Sequence, residues 1–74
     1  MKITIKLFAT FRQDRFKVED RDVAPGTTVA DVLKSLDIDE AEVGTLFVRG
    51  RHVEPDRVLE DGEALAVFPL VGGG

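Results

Sequence analysis

The segment Asp61–Gly74 reads DGEALAVFPLVGGG and contains the strongest structural signals of the 74-residue sequence. The Asp-Gly pair at 61–62 favours a tight turn, and the run from Ala64 to Phe68 has the length and apolar character of a strand. Pro69 lacks the amide that a further ladder hydrogen bond would need. These residues predict a final strand that follows a turn and stops before Pro69.

The three glycines at the end of the printed sequence predict a different role for the residues after this strand. Glycine has no side chain, so an extended glycine segment can enter a channel that excludes other residues. We expect 1–69 to form one domain and 70–74 to be a flexible tail, with Gly72 and Gly73 threading into a partner. The tail would deliver the α-carboxylate of Gly74. A frayed terminus without a function is the alternative.

The N-terminal residues predict two further strands. Ile3, Ile5 and Leu7 alternate with polar residues, which is the period of a half-buried strand. Residues 9–15 are polar enough for a loop. Residues 16–23 then predict a second strand with weaker alternation, in which Phe16 and Val18 are the clearest apolar positions.

A helix start follows the Pro25-Gly26 turn signal. Thr28 is typical of an N-cap, and Asp31 stands at the third helical position, where an acid is favourable. Apolar residues then recur at i, i+3, i+4 and i+7, which predicts a short amphipathic helix that ends near Asp37. The apolar stripe consists of Val29, Val32, Leu33 and Leu36.

Two more strands are predicted between the helix and the last strand. They cover 46–49 and the short pair 52–53, and a turn at Gly50-Arg51 joins them. Val58 and Leu59 are expected in the core. One helix on one face of a mixed sheet of four to five strands is an α+β architecture.

Composition disfavours several classes of function. The sequence has no cysteine, one histidine (His52) and one serine (Ser35), so it lacks a thiol nucleophile, a recognisable metal-ligand set and the partners that would activate a serine. The net charge of −4 disfavours general nucleic-acid binding and is compatible with a basic partner surface. No apolar run could span a membrane and no signal core precedes the first strand. We therefore expect a cytoplasmic monomer that binds no metal and no cofactor.

Strand alternation also predicts an apolar patch on the sheet. If Ile3, Ile5 and Leu7 face the helix, the aromatic and small residues at the alternate positions of three strands face the other way. These are Phe8, Phe47, Ala66 and Phe68. Three of the five phenylalanines on one solvated face is more than scattered surface apolars explain, so we interpret the four as a partner-docking patch.

Taken in order along the whole chain, the motifs resemble those of the ubiquitin-like sulfur carriers. This family contains the molybdopterin synthase small subunit and the thiamine sulfur carrier. The segments that carry the resemblance are Leu7–Arg12 (LFATFR), Pro25–Val29 (PGTTV), Phe47–Arg51 (FVRGR), Asp61–Pro69 (DGEALAVFP) and the final Gly73-Gly74.

The resemblance implies a β-grasp fold and a carrier protein, not an enzyme. An E1-like partner would use ATP and magnesium to adenylate the Gly74 carboxylate, and a sulfur donor would then displace AMP to leave a thiocarboxylate. Adenylation is needed because a carboxyl group with a pKa near ~3.5 is a resonance-stabilised anion at pH 7 and a poor electrophile. An acceptor synthase, such as the large subunit of molybdopterin synthase, would take up the sulfur.

The motifs point to two different branches of the family. The arginine-bearing loop at Arg12 and the Phe68-Pro69 pair look like the molybdopterin branch, but Leu70 and Gly72 depart from the FPPVAGG ending usual there. A Gly-Gly-Gly ending is more typical of thiamine-type carriers. We expect a role in molybdenum or tungsten cofactor biosynthesis. The alternatives are a thiamine-type carrier, a carrier for tRNA thiolation or cysteine synthesis, a modifier conjugated to lysines, and a plain binding domain with an idle tail.

Overall fold

The computed structural model describes residues 1–71, and in this part of the chain a five-stranded sheet packs against one α-helix. The strands are β1 (Lys2–Leu7), β2 (Val18–Asp22), β3 (Val43–Val48), β4 (Arg51–His52) and β5 (Ala64–Pro69), and the helix is α1 (Val29–Ser35). The sheet order is β2-β1-β5-β3-β4. The β1–β5 pair is parallel and the other pairs are antiparallel. This mixed sheet with one main helix confirms the predicted α+β class.

The central pair, β1 with β5, defines the buried face of the sheet. Its register places Ile5 beside Leu65 and Leu7 beside Val67, and all four side chains are fully buried. Because side chains alternate along a strand, this one register assigns every neighbouring position to the helix side or to the uncovered side, here called the open face. The core lies between the sheet and α1. Its other members are Ile3, Phe11, Val29, Val32, Leu33, Leu36, Ile38, Leu46, Val48 and Leu59.

The helix begins where the sequence predicts. The Thr28 side chain accepts a hydrogen bond from the Asp31 amide at 3.2 Å, and the Asp31 carboxylate accepts one from the Thr28 amide at 3.0 Å. This reciprocal pair is a capping box, and the bond from the Thr28 amide lowers the pKa of Asp31. The last helical residue is Ser35, two residues before the predicted end, and Ile38 beyond it is buried as expected for the core.

The second strand is shorter than predicted, and its alternation was misassigned. It begins at Val18, not at Phe16, and Val18 is 54 % exposed. Pairing of Val18 with Lys6 puts both on the open face, whereas Phe16 packs partly against the core from the preceding loop. β2 is an edge strand with one neighbour, so burial constrains its pattern weakly.

Four other local predictions were incomplete or wrong. The segment 9–15 is not a plain loop, because Ala9–Arg12 forms a short 3-10 helix that buries Phe11. β3 starts at Val43, three residues before the predicted start, and β4 ends at His52, one residue earlier than predicted. Leu59 is buried but Val58 is 52 % exposed. Val58 pairs its backbone with Thr28 in an isolated bridge, and this pairing directs its side chain outward.

A buried carboxylate ties the long 49–60 connection to the start of β5. Glu63 is 2 % exposed, and its two oxygens accept hydrogen bonds from Arg57 at 2.6 and 2.9 Å. Arg49 Nε at 2.8 Å and the Glu60 amide at 2.8 Å complete its partners. The bonds from Arg57 are the main cause that lowers the pKa of Glu63 from its usual 4.5 to about 2, against the opposing effect of burial.

This ion cluster makes stability depend on pH in a defined direction. A lowered pKa means that Glu63 stabilises the fold fully above pH ~4.5 and loses that contribution as pH falls towards ~2. We predict that Glu63→Gln lowers the free energy of unfolding at pH 7 by about 3 kcal/mol, because it leaves two arginines without their buried anion. The gap between wild type and variant should narrow as pH falls from ~5 to ~2, and urea unfolding at each pH measures it.

The matched control is Glu60→Gln, which removes an exposed carboxylate three residues away. Its effect should stay within about 0.5 kcal/mol. If Glu63→Gln lowers the free energy of unfolding as much at pH 2.5 as at pH 7, the role assigned to the buried charge is wrong.

Candidate partner-docking surface

Four residues that the sequence predicts to share the open face lie together there, and we call Phe8, Phe47, Ala66 and Phe68 the aromatic patch. The rings of Phe8 and Phe68 stack with centroids 4.1 Å apart and an interplanar angle of 11°. Phe47 meets Phe68 edge to face, with centroids 5.9 Å apart and an angle of 89°. Each of the four is half-buried, because the rings cover one another and leave their outer surfaces exposed.

Strand register explains why these rings meet. Phe47 lies opposite Ala66 in the antiparallel β3–β5 pair, and the small methyl group leaves room beside the larger rings. Phe8 follows Leu7, the partner of Val67, and therefore comes level with Phe68. Offset and edge-to-face pairs of this kind are worth about 0.5–1.5 kcal/mol beyond area burial. The rings therefore support one another and form one continuous aromatic surface on the open face.

A shallow depression of about 430 Å³ lies over the aromatic patch. Its other lining residues are Lys6, Arg49, Gly50 and Ala64. His52 stands at its β4 side, edge-on to Phe47 with centroids 6.4 Å apart. A wide apolar surface on a sheet suits a protein partner better than a small molecule, which needs a deep cleft.

The predicted tail leaves the domain from the same strand that carries Phe68. The Leu70 amide donates to the Glu42 carbonyl at 2.9 Å, so the backbone is held one residue past Pro69. Gly44 makes this exit possible, because a Cβ there would lie 2.6 Å from the Pro69 carbonyl oxygen. Leu70 and Val71 are 63 % and 89 % exposed. Side chains at the root of the tail thus point into solvent, while its backbone direction is fixed.

Gly72, Gly73 and Gly74 lie outside the described residues, so threading of the tail and chemistry at Gly74 stay predictions, as does the docking role of the aromatic patch. Within residues 1–71, no cluster of side chains could hold a metal ion. Over the same residues, no helix is both long enough and apolar enough to cross a membrane.

Arginine side chains border the patch at positions that strand alternation could not reveal. The Arg12 guanidinium carbon lies 5.3 Å from the centroid of the Phe8 ring, and Arg12 Nε donates to the Leu7 carbonyl at 2.8 Å. Arg12 is in the 3-10 helix after β1, and Arg49 is in the turn between β3 and β4. In the sequence, only the arginine-bearing loop at Arg12 indicated that a cation would lie near the patch.

Comparison with known proteins agrees with the fold. Residues 4–72 match the model of the Mut7-C ubiquitin family. The chain belongs to this family. The match covers nearly the whole sequence and confirms the ubiquitin-like relationship that the motifs suggested. No curated protein matches the chain significantly.

Solved structures place this Mut7-C ubiquitin-family protein among β-grasp proteins. A protein from Pyrococcus furiosus, provisionally named molybdopterin converting factor subunit 1, is 30 % identical with a TM-score of 0.77, over 96 % of this chain and 99 % of that one. SAMP1 from Haloferax volcanii is 24 % identical with a TM-score of 0.78, over 100 % of both chains. The Helicobacter pylori complex of molybdopterin-converting factor subunits 1 and 2 contains a chain with 14 % identity and a TM-score of 0.67, over 100 % of both chains.

The patch can be distinguished from the core by one substitution. We predict that Phe47→Ala lowers the free energy of unfolding by about 1 kcal/mol, because the ring lies on the open face and is not part of the buried core. The same variant should weaken binding to an adenylating partner by about 1–3 kcal/mol, as truncation of an interface hot spot does. Thermal melting and a binding isotherm measure the two effects.

Leu65→Ala serves as the core control, since Leu65 is fully buried. It should cost about 2–5 kcal/mol of stability. If Phe47→Ala destabilises the domain as much as Leu65→Ala and leaves affinity unchanged, Phe47 is a structural residue and not a docking residue.

Proposed function

We propose that this protein is a ubiquitin-like sulfur carrier whose Gly74 carboxylate is adenylated by an E1-like enzyme and converted to a thiocarboxylate, with molybdenum or tungsten cofactor biosynthesis as the receiving pathway. The observation that carries the proposal is that Ala66 and Phe68 of the aromatic patch lie on β5, the last strand before the glycine segment. A partner that binds the patch therefore has the tail beside it.

The chemistry is carried out by the partner, and the carrier supplies the reacting carboxylate. An oxygen of the Gly74 carboxylate attacks the α-phosphorus of ATP, pyrophosphate leaves, and an acyl-adenylate forms. Hydrosulfide or an equivalent donor then adds to the acyl carbon, AMP leaves, and a thiocarboxylate remains. ATP and magnesium belong to the partner's site. The carrier's own task is to bring one carbon atom into position, which is where orientation lowers the barrier.

The geometry at the end of β5 suits this task. The backbone is held as far as Leu70, so Gly74 is the fourth residue beyond the last anchored position. Four extended residues reach at most about 14 Å. An active site that accepts Gly74 must then lie within that distance of the docked domain, and binding of the patch limits where the carboxylate can go.

The named relatives support the pathway and the acceptor. The Pyrococcus furiosus protein carries the name of a molybdopterin converting factor subunit, and its identity of 30 % over nearly all of both chains is the best functional indication. The Helicobacter pylori structure is a complex of subunits 1 and 2 of the same factor. We infer that a synthase large subunit is the acceptor that binds after the E1-like enzyme.

A lysine-conjugated modifier is the second candidate, because SAMP1 from Haloferax volcanii, which has the same fold over its whole length, is named small archaeal modifier protein 1. Both roles begin with the same adenylate and diverge afterwards. A modifier forms an amide bond between Gly74 and a lysine of another protein, whereas a carrier releases sulfur. Blots of cell lysate separate them: a ladder of heavier bands indicates conjugation, and a single band at the free size indicates a carrier.

We predict that incubation with the E1-like enzyme of the same organism, ATP, magnesium and sulfide raises the intact mass by about 16 Da, the difference between sulfur and oxygen. A variant extended by one phenylalanine after Gly74 should show no gain, because the side chain cannot pass where glycine does. Intact-protein mass spectrometry reads both. Equal mass gain for the extended variant would contradict delivery through a glycine-wide channel, and no gain for the wild type would reject the carrier role.

A further inference from the structure

We propose that the aromatic patch docks onto a partner surface whose apolar centre is surrounded by carboxylates, with Lys6, Arg12 and Arg49 pairing with those carboxylates. This inference rests on the proposed function, since it takes the E1-like enzyme as the partner. It adds the chemistry of the partner surface, which neither the net charge of the chain nor its named relatives supply.

The three cations stand on different sides of the patch. Lys6 pairs with Val18 on β2 and with Ala66 on β5, so it borders the patch on the β2 side. Arg12 lies over the outer Phe8 ring, at the end where the tail leaves. Arg49 follows Val48, the partner of Leu65, and borders the patch at the opposite end.

Two of these cations have no carboxylate partner in the described residues, and the third, Arg49, contacts only the buried Glu63. Among residues 1–71, Lys6 and Arg12 form no salt bridge, and no acidic residue lines the depression. The open-face acids of β2 are Asp20 and Asp22, which pair with Thr4 and Lys2 at the end of β1 remote from the tail. A protein with a net charge of −4 thus presents a local cationic border, which favours an acidic partner surface and not the basic one that the total charge suggested.

Arg49 provides an independent observation. Its φ is +54°, and the next residue, Gly50, has φ +73°, so both central residues of the two-residue β3–β4 turn are left-handed. Glycine, asparagine and aspartate adopt this conformation at least cost, and arginine does not. Backbone strain of this kind is typical of functional positions.

A hydrogen bond to Glu63 fixes the direction of the Arg49 side chain. Glu63 accepts this bond from Arg49 Nε at 2.8 Å, while the Arg49 side chain remains 65 % exposed. Neither Nη group of Arg49 makes a hydrogen bond within the described part of the chain. The guanidinium is therefore held at Nε and presents its two Nη groups beside the patch, which is the geometry for binding a carboxylate of another molecule.

Other occupants of the patch fit these charges less well. In a two-fold dimer the same cationic border would face itself, and like charges in contact oppose association. An anionic membrane would attract the border, but it would also repel a domain with a net charge of −4. An acidic-bordered protein surface satisfies the rings and the cations together.

The test compares charge reversals on the two faces. We expect Lys6→Glu to weaken binding to the E1-like enzyme at least ~10-fold in 50 mM NaCl and less than ~3-fold in 500 mM NaCl, because salt screens exposed charges. The matched control Lys34→Glu makes the same change in charge on α1, and its affinity for the E1-like enzyme should stay within ~2-fold of the wild-type value. Arg49→Asn, which suits the left-handed turn and retains the Glu63–Arg57 pair, should weaken binding several-fold without lowering the melting temperature.

Outcomes distinguish this inference from the carrier role. If the wild type gains 16 Da but Lys6→Glu and Lys34→Glu bind alike at low salt, the carrier role stands and the carboxylate-bordered partner is wrong. If the wild type neither binds nor gains mass, both are wrong. Binding to phosphatidylserine vesicles that Lys6→Glu abolishes, or a dimer in sedimentation that Phe47→Ala dissociates, would assign the patch to a membrane or to a second copy and overturn the inference.

Discussion

The parallel pairing of β1 with β5 is the constraint on which the other features depend. Its register aligns Leu7 with Val67, and this alignment sets both the fully buried inner face and the stack of Phe8 on Phe68. A shift by one residue would move every side chain of β5 to the opposite face. Because the strands are parallel, their C-terminal ends also lie together. The patch, the arginine of the following 3-10 helix and the root of the tail therefore share one end of the sheet.

The core and the aromatic patch lie on opposite faces of the same sheet, with one point of contact. The inner face contributes the apolar core, and the open face contributes rings that bury only one another. Glu63 is the point of contact: its carboxylate joins Arg57 to the start of β5 and at the same time holds Arg49 at the border of the patch. Its charge stabilises the fold above pH ~4.5, because the folded state holds it in the ionised form. The same cluster also has a positional effect, since it fixes the connection before β5 and holds Arg49 beside the patch.

The sequence was sufficient where the pattern is local and repeats. The alternation of β1, β3 and β5 predicted most of the core and the four patch residues, and Thr28 with Asp31 predicted the start of α1. It was insufficient where a position depends on a distant partner. Val58 and Leu59 are adjacent apolar residues in an irregular segment, and only the backbone bridge to Thr28 determines which one faces out. Likewise, nothing local indicates that Arg12, Arg49 and Lys6, from three separate segments, would surround one patch.

The central claim is that partners bind the open face and so direct the tail. Titration of the ¹⁵N-labelled protein with the E1-like enzyme, followed by amide signals, tests this most directly. The account predicts that intensity losses concentrate on β1, β3 and β5 around Phe8, Phe47 and Phe68 and extend into the glycine segment, while α1 is unaffected. Losses centred on α1 and on the acidic residues 37–42, with the open face unchanged, would contradict it.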